Sequence, residues 1–543
     1  MSLAPLHILS VVVLLGGLIF FHELGHFLVA KAFRVKVLRF SIGFGPKLVG
    51  FTWGETEYRI ALLPLGGYVK MAGDDPSTPV EPADAGRGFL EQSPWRRMAI
   101  AFAGPAFNLI FPLLAYFAVF SLQTEAIAPH VGQVIAGMPA EKAGLLPGDR
   151  IVAIDGEPVH AFQDLRRFVD PAAGRPLEME VERAGARTKV AVTPEAFVEQ
   201  DPIESVTVGK IGIVPNPAAP VVGVGEGGLA FEAGLRTFDR IVSVGGAAVG
   251  SIDEALALIE ERARAGAPFE IVATRLEPGA EPGAEGREIR ATLAADGVTP
   301  VGIESAELFV SRVAEGSPAA AAGLRPGDRI VSLDGAPLRS WQQIERAQRE
   351  LADQPFTLEF VRGGETMSVT LAQAATTKMD ELRDRPVTVY TFGAYGGLPA
   401  LAAPVVKVPF RPLLAAQMAA ASTWEVARKI ARGMGMIVTG QIAFRNVGGP
   451  LQIYDIATKA ADQGWEIFLH TMAMVSINLG LVNLFPVPVL DGGHIVQAGV
   501  EVVRRRPLSM RAREITNAVG LAMLLTLMVF AIKNDIFRYF LSG

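Results

Sequence analysis

Four long apolar segments constrain the fold of this 543-residue chain more than any other feature of its sequence. They cover about residues 7–30, 98–122, 467–490 and 515–532, and each has the length and apolarity of a transmembrane helix. Half of all residues are hydrophobic, and the mean hydropathy is +0.33, which is too apolar for an ordinary soluble protein. We therefore predict a polytopic α-helical membrane protein with four transmembrane helices in a lipid bilayer.

Charge and cysteine content exclude several classes of function. The formal net charge of −6 provides no global basic surface, so a nucleic acid is not an expected partner. The chain contains no cysteine, which excludes disulfides, a cysteine-ligated metal and a thiol nucleophile. Any metal site must therefore be built from His, Asp or Glu.

The distribution of Lys and Arg predicts the orientation in the membrane. The loop between the first two apolar segments is rich in both residues, and the loop between the last two carries five arginines between Arg504 and Arg513. The first nine residues carry none. Because loops rich in positive charge stay in the cytoplasm, both termini and the long insert between the second and third segments are predicted to be extracytoplasmic.

The long insert contains a threefold repeat. The three copies are "AGLLPGDRIVAIDGEPV" from Ala143, "AGLRTFDRIVSVGGAAV" from Ala233 and "AGLRPGDRIVSLDGAPL" from Ala322. Each copy has an apolar strand between turn signals, and the period of about 90 residues is that of a domain. The copies resemble PDZ domains, α+β modules that bind a peptide carboxyl terminus by strand addition. We predict modules at 123–200, 215–298 and 300–375.

The middle copy departs from the other two. It has Thr237 and Phe238 where they have Pro-Gly, and Gly245-Gly246 where they have Asp-Gly. This departure puts a peptide groove in the middle module in doubt. All three modules also fit a simpler role as packing or spacing domains without a ligand. The next stretch, 376–464, is predicted to be a linker with amphipathic helices that lie at the membrane interface.

The first apolar segment contains the motif "HELGH". His22 and His26 are four residues apart, so a helix places both imidazoles on one face, at a separation that suits one zinc ion. Glu23 is adjacent and can act as general base on a zinc-bound water. Ionisable groups inside a lipid-spanning helix are costly and are usually functional. The motif therefore predicts a Zn²⁺ site in the membrane core of residues 1–122.

Two histidines leave a catalytic zinc without a third protein ligand. Asp491 in "NLFPVPVLDGGH" is the candidate, because Pro486 and Pro488 break the third segment there and bring irregular backbone to membrane depth. The alternative is that Asp491 only caps the following helix. The remaining histidines are His7, His130, His160, His470 and His494.

The cytoplasmic loop "VLRFSIGFGPKLVGFTWGETEYRIALLPLGGYVKM" alternates β-branched and aromatic residues with glycines. This pattern predicts strands joined by turns. A strand edge here is able to pair with an unwound substrate, and Gly43, Gly45, Gly66, Gly67 and Tyr68 are the candidate substrate-binding residues. The alternative is a loop that only covers the site.

These motifs together resemble the site-2 protease family of intramembrane metalloproteases, in its bacterial branch. The motifs are "HELGH", "LDG" within the second membrane core of residues 465–543, "SIGFGPKL", "LPLGGYVKM" and the PDZ-like modules. The resemblance implies zinc ligands His22, His26 and Asp491, catalytic Glu23, and substrate contact by Asn483. It also implies an inner-membrane protease with periplasmic modules, whose active site lies towards the cytoplasm. Its substrates would be single-pass proteins such as trimmed anti-sigma factors, or signal-peptide remnants.

The branch usually carries two PDZ domains, and three copies here leave the arrangement of the modules open. The alternative function is a membrane-anchored PDZ scaffold without proteolysis. That alternative predicts loss of at least one of the four metal-site residues, and all four are present.

Overall fold

The chain folds into two units in the computed structural model, which describes residues 4–74, 80–201, 203–275, 286–296, 298–380 and 385–541. The membrane unit consists of the described residues up to Thr124 and from Pro409 onwards. The module unit consists of the described residues between Glu125 and Val408. Each unit has its own core, and the two are described separately.

The membrane unit begins with two long helices joined by a small sheet. Its elements are α1 (Ala4–Ala32), β1 (Val37–Trp53), β2 (Thr56–Met71) and α2 (Pro94–Leu122). Both strands fold back on themselves, so residues 39–42 of β1 pair on one side with 57–60 and on the other with 67–70 of β2. Residues 67–70 therefore form one edge of this sheet. The strands agree with the β-pattern of the sequence.

The module unit opens with β3 (Glu125–Ile127), and the first module follows. Its elements, in chain order, are β4 (Gln133–Val134), α3 (Pro139–Lys142), β5 (Arg150–Ile154), β6 (Glu157–Pro158), α4 (Asp164–Val169), β7 (Leu177–Arg183), β8 (Ala186–Val192), β9 (Glu195–Gln200), β10 (Ser205–Lys210) and β11 (Ile213–Val214). The sheet order is β6-β5-β7-β8, and β11 closes the module by pairing with β4.

The second module repeats this plan. Its elements are β12 (Val222–Val224), α5 (Leu229–Glu232), β13 (Arg240–Val244), β14 (Ala247–Ala248), α6 (Ile252–Arg264), β15 (Phe269–Arg275), β16 (Arg287–Leu293) and β17 (Ile303–Ser305). The sheet order is β14-β13-β15-β16, and β17 closes the module on β12. A cleft of about 480 Å³ lies between α6 and β17, in the module whose groove the sequence put in doubt.

The third module follows the same plan. Its elements are β18 (Arg312–Val313), α7 (Pro318–Ala321), β19 (Arg329–Leu333), β20 (Ala336–Pro337), α8 (Trp341–Leu351), β21 (Phe356–Arg362), β22 (Glu365–Leu371), β23 (Ala374–Asp380), β24 (Arg385–Thr391) and β25 (Ala394–Tyr395). The sheet order is β20-β19-β21-β22, and β25 closes the module on β18. Each module has its own hydrophobic core.

The closing strands differ from the predicted module boundaries. β11 lies beyond residue 200, β25 lies beyond residue 375, and β17 falls in the range assigned to the third module. Residues 376–395, predicted as linker, belong largely to the β23–β24 ribbon and to β25. These strands of two or three residues pair with partners about 80 residues away, so no local pattern marks them.

A buried aspartate recurs in the repeated motif of every module. Asp149, Asp239 and Asp328 are at most 1% exposed. Each accepts two hydrogen bonds from the guanidinium of an arginine at the end of the module's third core strand, namely Arg183, Arg275 and Arg362. Each also accepts a backbone N–H three residues upstream. The charge is therefore fully paired inside its own module.

The residue before this aspartate has a positive φ in all three modules. Gly148 and Gly327 have φ values of 90° and 93°, and Phe238 has a φ of 75°. A bulky residue is strained in this region, which glycine occupies freely. The middle module therefore keeps the shared fold at the cost of local backbone strain.

Residues 398–408, here called the return segment, run back along the modules. Leu401 N–H donates to the Pro217 carbonyl, and Ala219 N–H donates to that of Pro399. Further on, β26 (Val405–Lys407) pairs antiparallel with β3. The first strand of the module unit, β3, is therefore paired with its last strand, β26.

The rest of the membrane unit is helical. Its elements are α9 (Pro412–Val438), α10 (Pro450–Asp462), α11 (Trp465–Asn483), α12 (Asp491–Arg504) and α13 (Met510–Ile536). Among the described residues, four helices are long and apolar enough to cross a membrane: Pro5–Ala32, Pro94–Leu122, Trp465–Asn483 and Met510–Phe540. The third ends at residue 483 rather than at the predicted 490, because the prolines that follow cannot continue a helix.

Candidate active site

The histidine pair lies on the face of α1 that packs against α2. The Nε2 atoms of His22 and His26 are 3.2 Å apart. Gly104 of α2 faces both rings, and a Cβ at that position would overlap them. In return, Gly25 of α1 lies against the backbone of Ala103. Glycines on both helices thus permit the close approach that places two imidazoles between them.

The opposite nitrogen of each ring faces α2. His26 Nδ1 donates to the Ile100 carbonyl at 2.8 Å. His22 Nδ1 lies 3.0 Å from the amide of Asn108, which is fully buried. The Asn108 Oδ1 atom has no hydrogen-bond partner among the described residues. Turning the amide lets Oδ1 accept from His22 Nδ1–H, so both rings would carry their proton on Nδ1 and leave Nε2 free.

The helix break after α11 brings Asp491 to the same point. Val489 in this break has a φ of 87°, which is strained for a β-branched residue. Asp491 is the first residue of α12, and its two carboxylate oxygens lie 3.1 Å from His22 Nε2 and 3.4 Å from His26 Nε2. One ligand atom from each of the three residues lies within 4.8 Å of the others.

These separations fit one zinc ion. Bonds of about 2.0–2.1 Å at tetrahedral angles separate neighbouring ligand atoms by about 3.3 Å. The two Nε2 atoms are 3.2 Å apart. One carboxylate oxygen of Asp491 lies 3.1 Å from His22 Nε2 and the other lies 3.4 Å from His26 Nε2, so each pair of ligand groups is at about this separation. Two imidazoles and one carboxylate leave a fourth position open, as in catalytic zinc sites. The donor set and the buried Nδ1 partners therefore suit a catalytic zinc.

Glu23 lies beside this cluster and is 8% exposed. It lines the same cavity as His22, His26 and Asp491, and its Cγ lies close to Gly67 of the sheet edge. A Cβ at Gly67 would come within 2.9 Å of this Cγ. Glycine at this position therefore lets the strand approach the carboxylate.

A cavity of about 600 Å³ contains the cluster. Its wall includes the sheet edge from Gly67 to Met71, with Tyr68, and the end of α11, with Asn483. Gly43, Gly45 and Gly66 are not among the described residues that line it. The first two occupy positive-φ positions, and Gly66 packs against the Phe44 ring. The structure thus places three of the six predicted substrate-binding residues at the cavity.

Several residues of the site were not predicted from the sequence. Asn108 and Gly104 are polar or small positions inside an apolar segment, which is the only signal that marks them. His494 lies one turn after Asp491 and lines the cavity. The motif "LDGGH" alone does not show that its histidine reaches the cavity.

Comparisons with known proteins agree with this geometry. The chain matches peptidase family M50 over residues 10–527. It is 30% identical to a putative zinc metalloprotease of Neisseria meningitidis, with 96% of each chain covered. It is also 30% identical to the regulator of sigma E protease of Salmonella typhi, covering 97% of each chain. The identity to the regulator of sigma-E protease RseP of Escherichia coli K12 is 30%, over 97% of this chain and 98% of that one.

Among solved structures, a PDZ domain protein from Parabacteroides distasonis aligns with 50% of this chain and 95% of its own. The identity is 13% and the TM-score is 0.14, so this match carries no argument about the fold. The family match spans nearly the whole chain, from the helix with the histidine pair to the last apolar helix. The chain therefore belongs to peptidase family M50, the site-2 protease family, and is a zinc metalloprotease.

Proposed function

We propose that this chain hydrolyses a peptide bond in or beside the transmembrane segment of single-pass membrane proteins. His22, His26 and Asp491 hold the zinc, and Glu23 is the general base. The observation that carries the proposal is the meeting of three ligand atoms within 4.8 Å, next to a buried glutamate, from helices at opposite ends of the sequence. A scaffold without activity has no need for this arrangement.

Zinc at this position supplies a water of lowered pKa and polarises the scissile carbonyl. The Glu23 carboxylate accepts a proton from the attacking water while the water oxygen forms a bond to the carbonyl carbon. The same carboxyl group then donates that proton to the leaving nitrogen as the C–N bond breaks. Ile100 and Asn108 keep the two histidine rings oriented throughout.

The sheet edge at 67–71 presents the substrate. A helix hides its peptide groups in its own hydrogen bonds, so a transmembrane segment must unwind before it is cut. An extended segment then pairs with the open edge of the sheet, as in other strand-addition sites. Tyr68 and Asn483 contact it from two sides of the cavity. Gly43, Gly45, Gly66 and Gly67 shape the sheet that carries this edge.

The active site faces the cytoplasmic side of the bacterial inner membrane. The loops with most Lys and Arg flank it, and the modules are periplasmic. Because the chain has no cysteine, single cysteines report this topology directly. Arg506→Cys should react with a membrane-impermeant thiol reagent only after the cells are opened, and Val298→Cys should react in cells whose outer membrane alone is permeable.

The substrates are anti-sigma factors that another protease has already trimmed, and also signal-peptide remnants. Two relatives are named for the regulation of sigma E, which supports a regulatory substrate of this class. The modules exclude a substrate that still carries a bulky folded periplasmic domain. The cleft between α6 and β17 is also suited to a peptide carboxyl terminus.

The test measures the rate at which the Glu23→Gln variant cleaves a labelled single-pass substrate in proteoliposomes. This variant keeps its zinc, because the ligands are intact, and loses at least about 100-fold in rate, since the amide accepts no proton. Glu81→Gln, an exposed change in the same unit, serves as the matched control and should cleave normally. Near-normal turnover by Glu23→Gln contradicts the proposed mechanism.

A further inference from the structure

A buried carboxylate fastens the far end of the helix that begins with Asp491. Glu501 on α12 is 3% exposed. Its Oε1 accepts from Leu508 N–H at 3.0 Å and from Arg513 Nη2 at 2.6 Å, and its Oε2 pairs with Arg97. The carboxylate thus joins α12 to the first turn of α2, to the loop after α12 and to the first turn of α13.

This group stays ionised. Burial on its own raises the pKa of Glu501, and the Leu508 N–H together with the two guanidiniums outweighs it, so the pKa lies below its ordinary value. Arg97 is 9% exposed, and its Nε also donates to the Gln92 carbonyl at 3.2 Å. A buried carboxylate with two cationic partners is held firmly, because loss of the carboxylate leaves both guanidiniums without their shared partner.

Between its two ends, α12 packs against α2 through one face, on which Ala498 is 3% exposed. Gly492 and Gly493 lie against the backbone of the break that precedes the helix. Further along, Val496, Val500 and Val503 are exposed. Glu501 lies ten residues after Asp491, which is about 15 Å along a helix. The two ends of α12 therefore carry a proposed metal ligand and a buried ionic anchor.

We propose that Glu501, with Arg97 and Arg513, is a positioning residue for the zinc site. It fixes the position and rotation of α12 on α2, so that the Asp491 carboxylate remains within reach of both histidines. The inference rests on the proposed role of Asp491 as a ligand. A metal site requires its ligands to be placed within about 0.5 Å, and a helix free to slide or turn does not meet that limit.

Asp535 offers a matched control in the same unit. It is 1% exposed and lies at the other end of α13, where it accepts Gly449 N–H at 3.0 Å and Leu451 N–H at 2.8 Å. Like Glu501 it is a buried carboxylate that ties α13 to a neighbour. Unlike those of Glu501, its hydrogen-bond partners among the described residues lie at the start of α10, which carries no proposed ligand.

The experiment measures zinc affinity of the full chain in detergent by chelator competition, together with thermal stability, for Glu501→Gln and Asp535→Asn. We expect both variants to lose stability. Only Glu501→Gln should bind zinc about 10–100-fold more weakly, the usual effect of losing support behind a ligand. Glu501→Asp keeps the charge and should recover part of the affinity. Arg513→Gln, which leaves the pair with Arg97 intact, replaces Glu501→Gln if that variant does not fold.

Two results overturn the proposal. One is wild-type zinc affinity in Glu501→Gln despite its lower stability. The other is an equal loss of affinity in Asp535→Asn, which assigns the effect to general destabilisation. Failure of the proposed function has a different signature, because Asp491→Ala would then keep its zinc.

Discussion

The two units treat buried charge in different ways. In each module, the buried aspartate is paired with an arginine about 35 residues later, inside the same small sheet. In the membrane unit, Arg97 pairs with Glu501, and His22 meets Asp491, across more than 400 residues. The module aspartates are therefore paired locally, whereas these two polar clusters of the membrane unit form only when the two ends of its sequence come together.

This difference separates structural carboxylates from those proposed to function. Each of the three module aspartates is paired with an arginine and also accepts a backbone N–H. Their carboxylates are therefore used in structural contacts within the module. The cluster of His22, His26 and Asp491 has three ligand atoms directed at one point with a buried glutamate beside it. Ionisable groups that converge on one point beside a cavity are typical of a functional site, which supports the proposed role of this cluster.

The largest expected contrast is between two aspartate-to-alanine variants. Asp491→Ala should lose its zinc and reduce cleavage to background, because two imidazoles hold the ion poorly. Asp328→Ala should keep its zinc, while the third module loses about 3 kcal/mol of stability through the unpaired Arg362. Zinc analysis and hydrogen exchange of the full chain measure both effects. Zinc loss in Asp328→Ala would contradict the assignment of Asp328 to a purely structural pair.

A deletion tests the distinction at the level of whole units. Ile127 and Val405 are directly paired, so Asn-Gly in place of residues 128–404 closes β3 and β26 as a hairpin. The deletion should keep its zinc and should cleave the untrimmed substrate, which we propose the modules of the intact chain exclude. Lower cleavage of the trimmed substrate would instead indicate capture of its carboxyl terminus by a module.

Cleavage of neither substrate by a well-expressed deletion protein would contradict both roles. It would show that the modules hold the membrane unit together, and the comparison between a self-contained module unit and a catalytic membrane unit would fail.

The smallest expected effect concerns strain in the middle module. Phe238→Gly removes a bulky residue at a φ of 75° and should stabilise this module by up to about 1 kcal/mol. The gain is reduced by the stabilisation that the apolar contacts of the ring provide. Gly327→Phe makes the reciprocal change in the third module and should destabilise it by about 1–2 kcal/mol. Hydrogen exchange in the two modules measures both changes in stability. Destabilisation by Phe238→Gly together with stabilisation by Gly327→Phe would show that Phe238 is not strained.

Much of this architecture was predictable from local sequence. The threefold repeat marks the modules, and four apolar runs mark the helices of the membrane unit. The spacing of His22 and His26 by four residues places them on one face of a helix, where the structure has them. Pro486 and Pro488 mark the break that precedes Asp491.

The remainder depends on long-range contacts that leave no local pattern. The two-residue strands that close the first and third modules pair with residues about 80 positions away. Asn108 and Gly104 acquire their roles only because α2 packs on the histidine face of α1. In the sequence, Arg97 and Glu501 look like ordinary charged residues beside apolar segments, and only the folded chain pairs them.

The proposed function depends on one catalytic zinc held by His22, His26 and Asp491. X-ray absorption at the zinc edge of the purified full-length protein tests it most directly, with Asp491→Ala measured alongside. We expect one zinc per chain, bound by two imidazole nitrogens and at least one oxygen at about 2.0–2.1 Å, and loss of the metal in Asp491→Ala. Full occupancy and an unchanged spectrum in Asp491→Ala would contradict it.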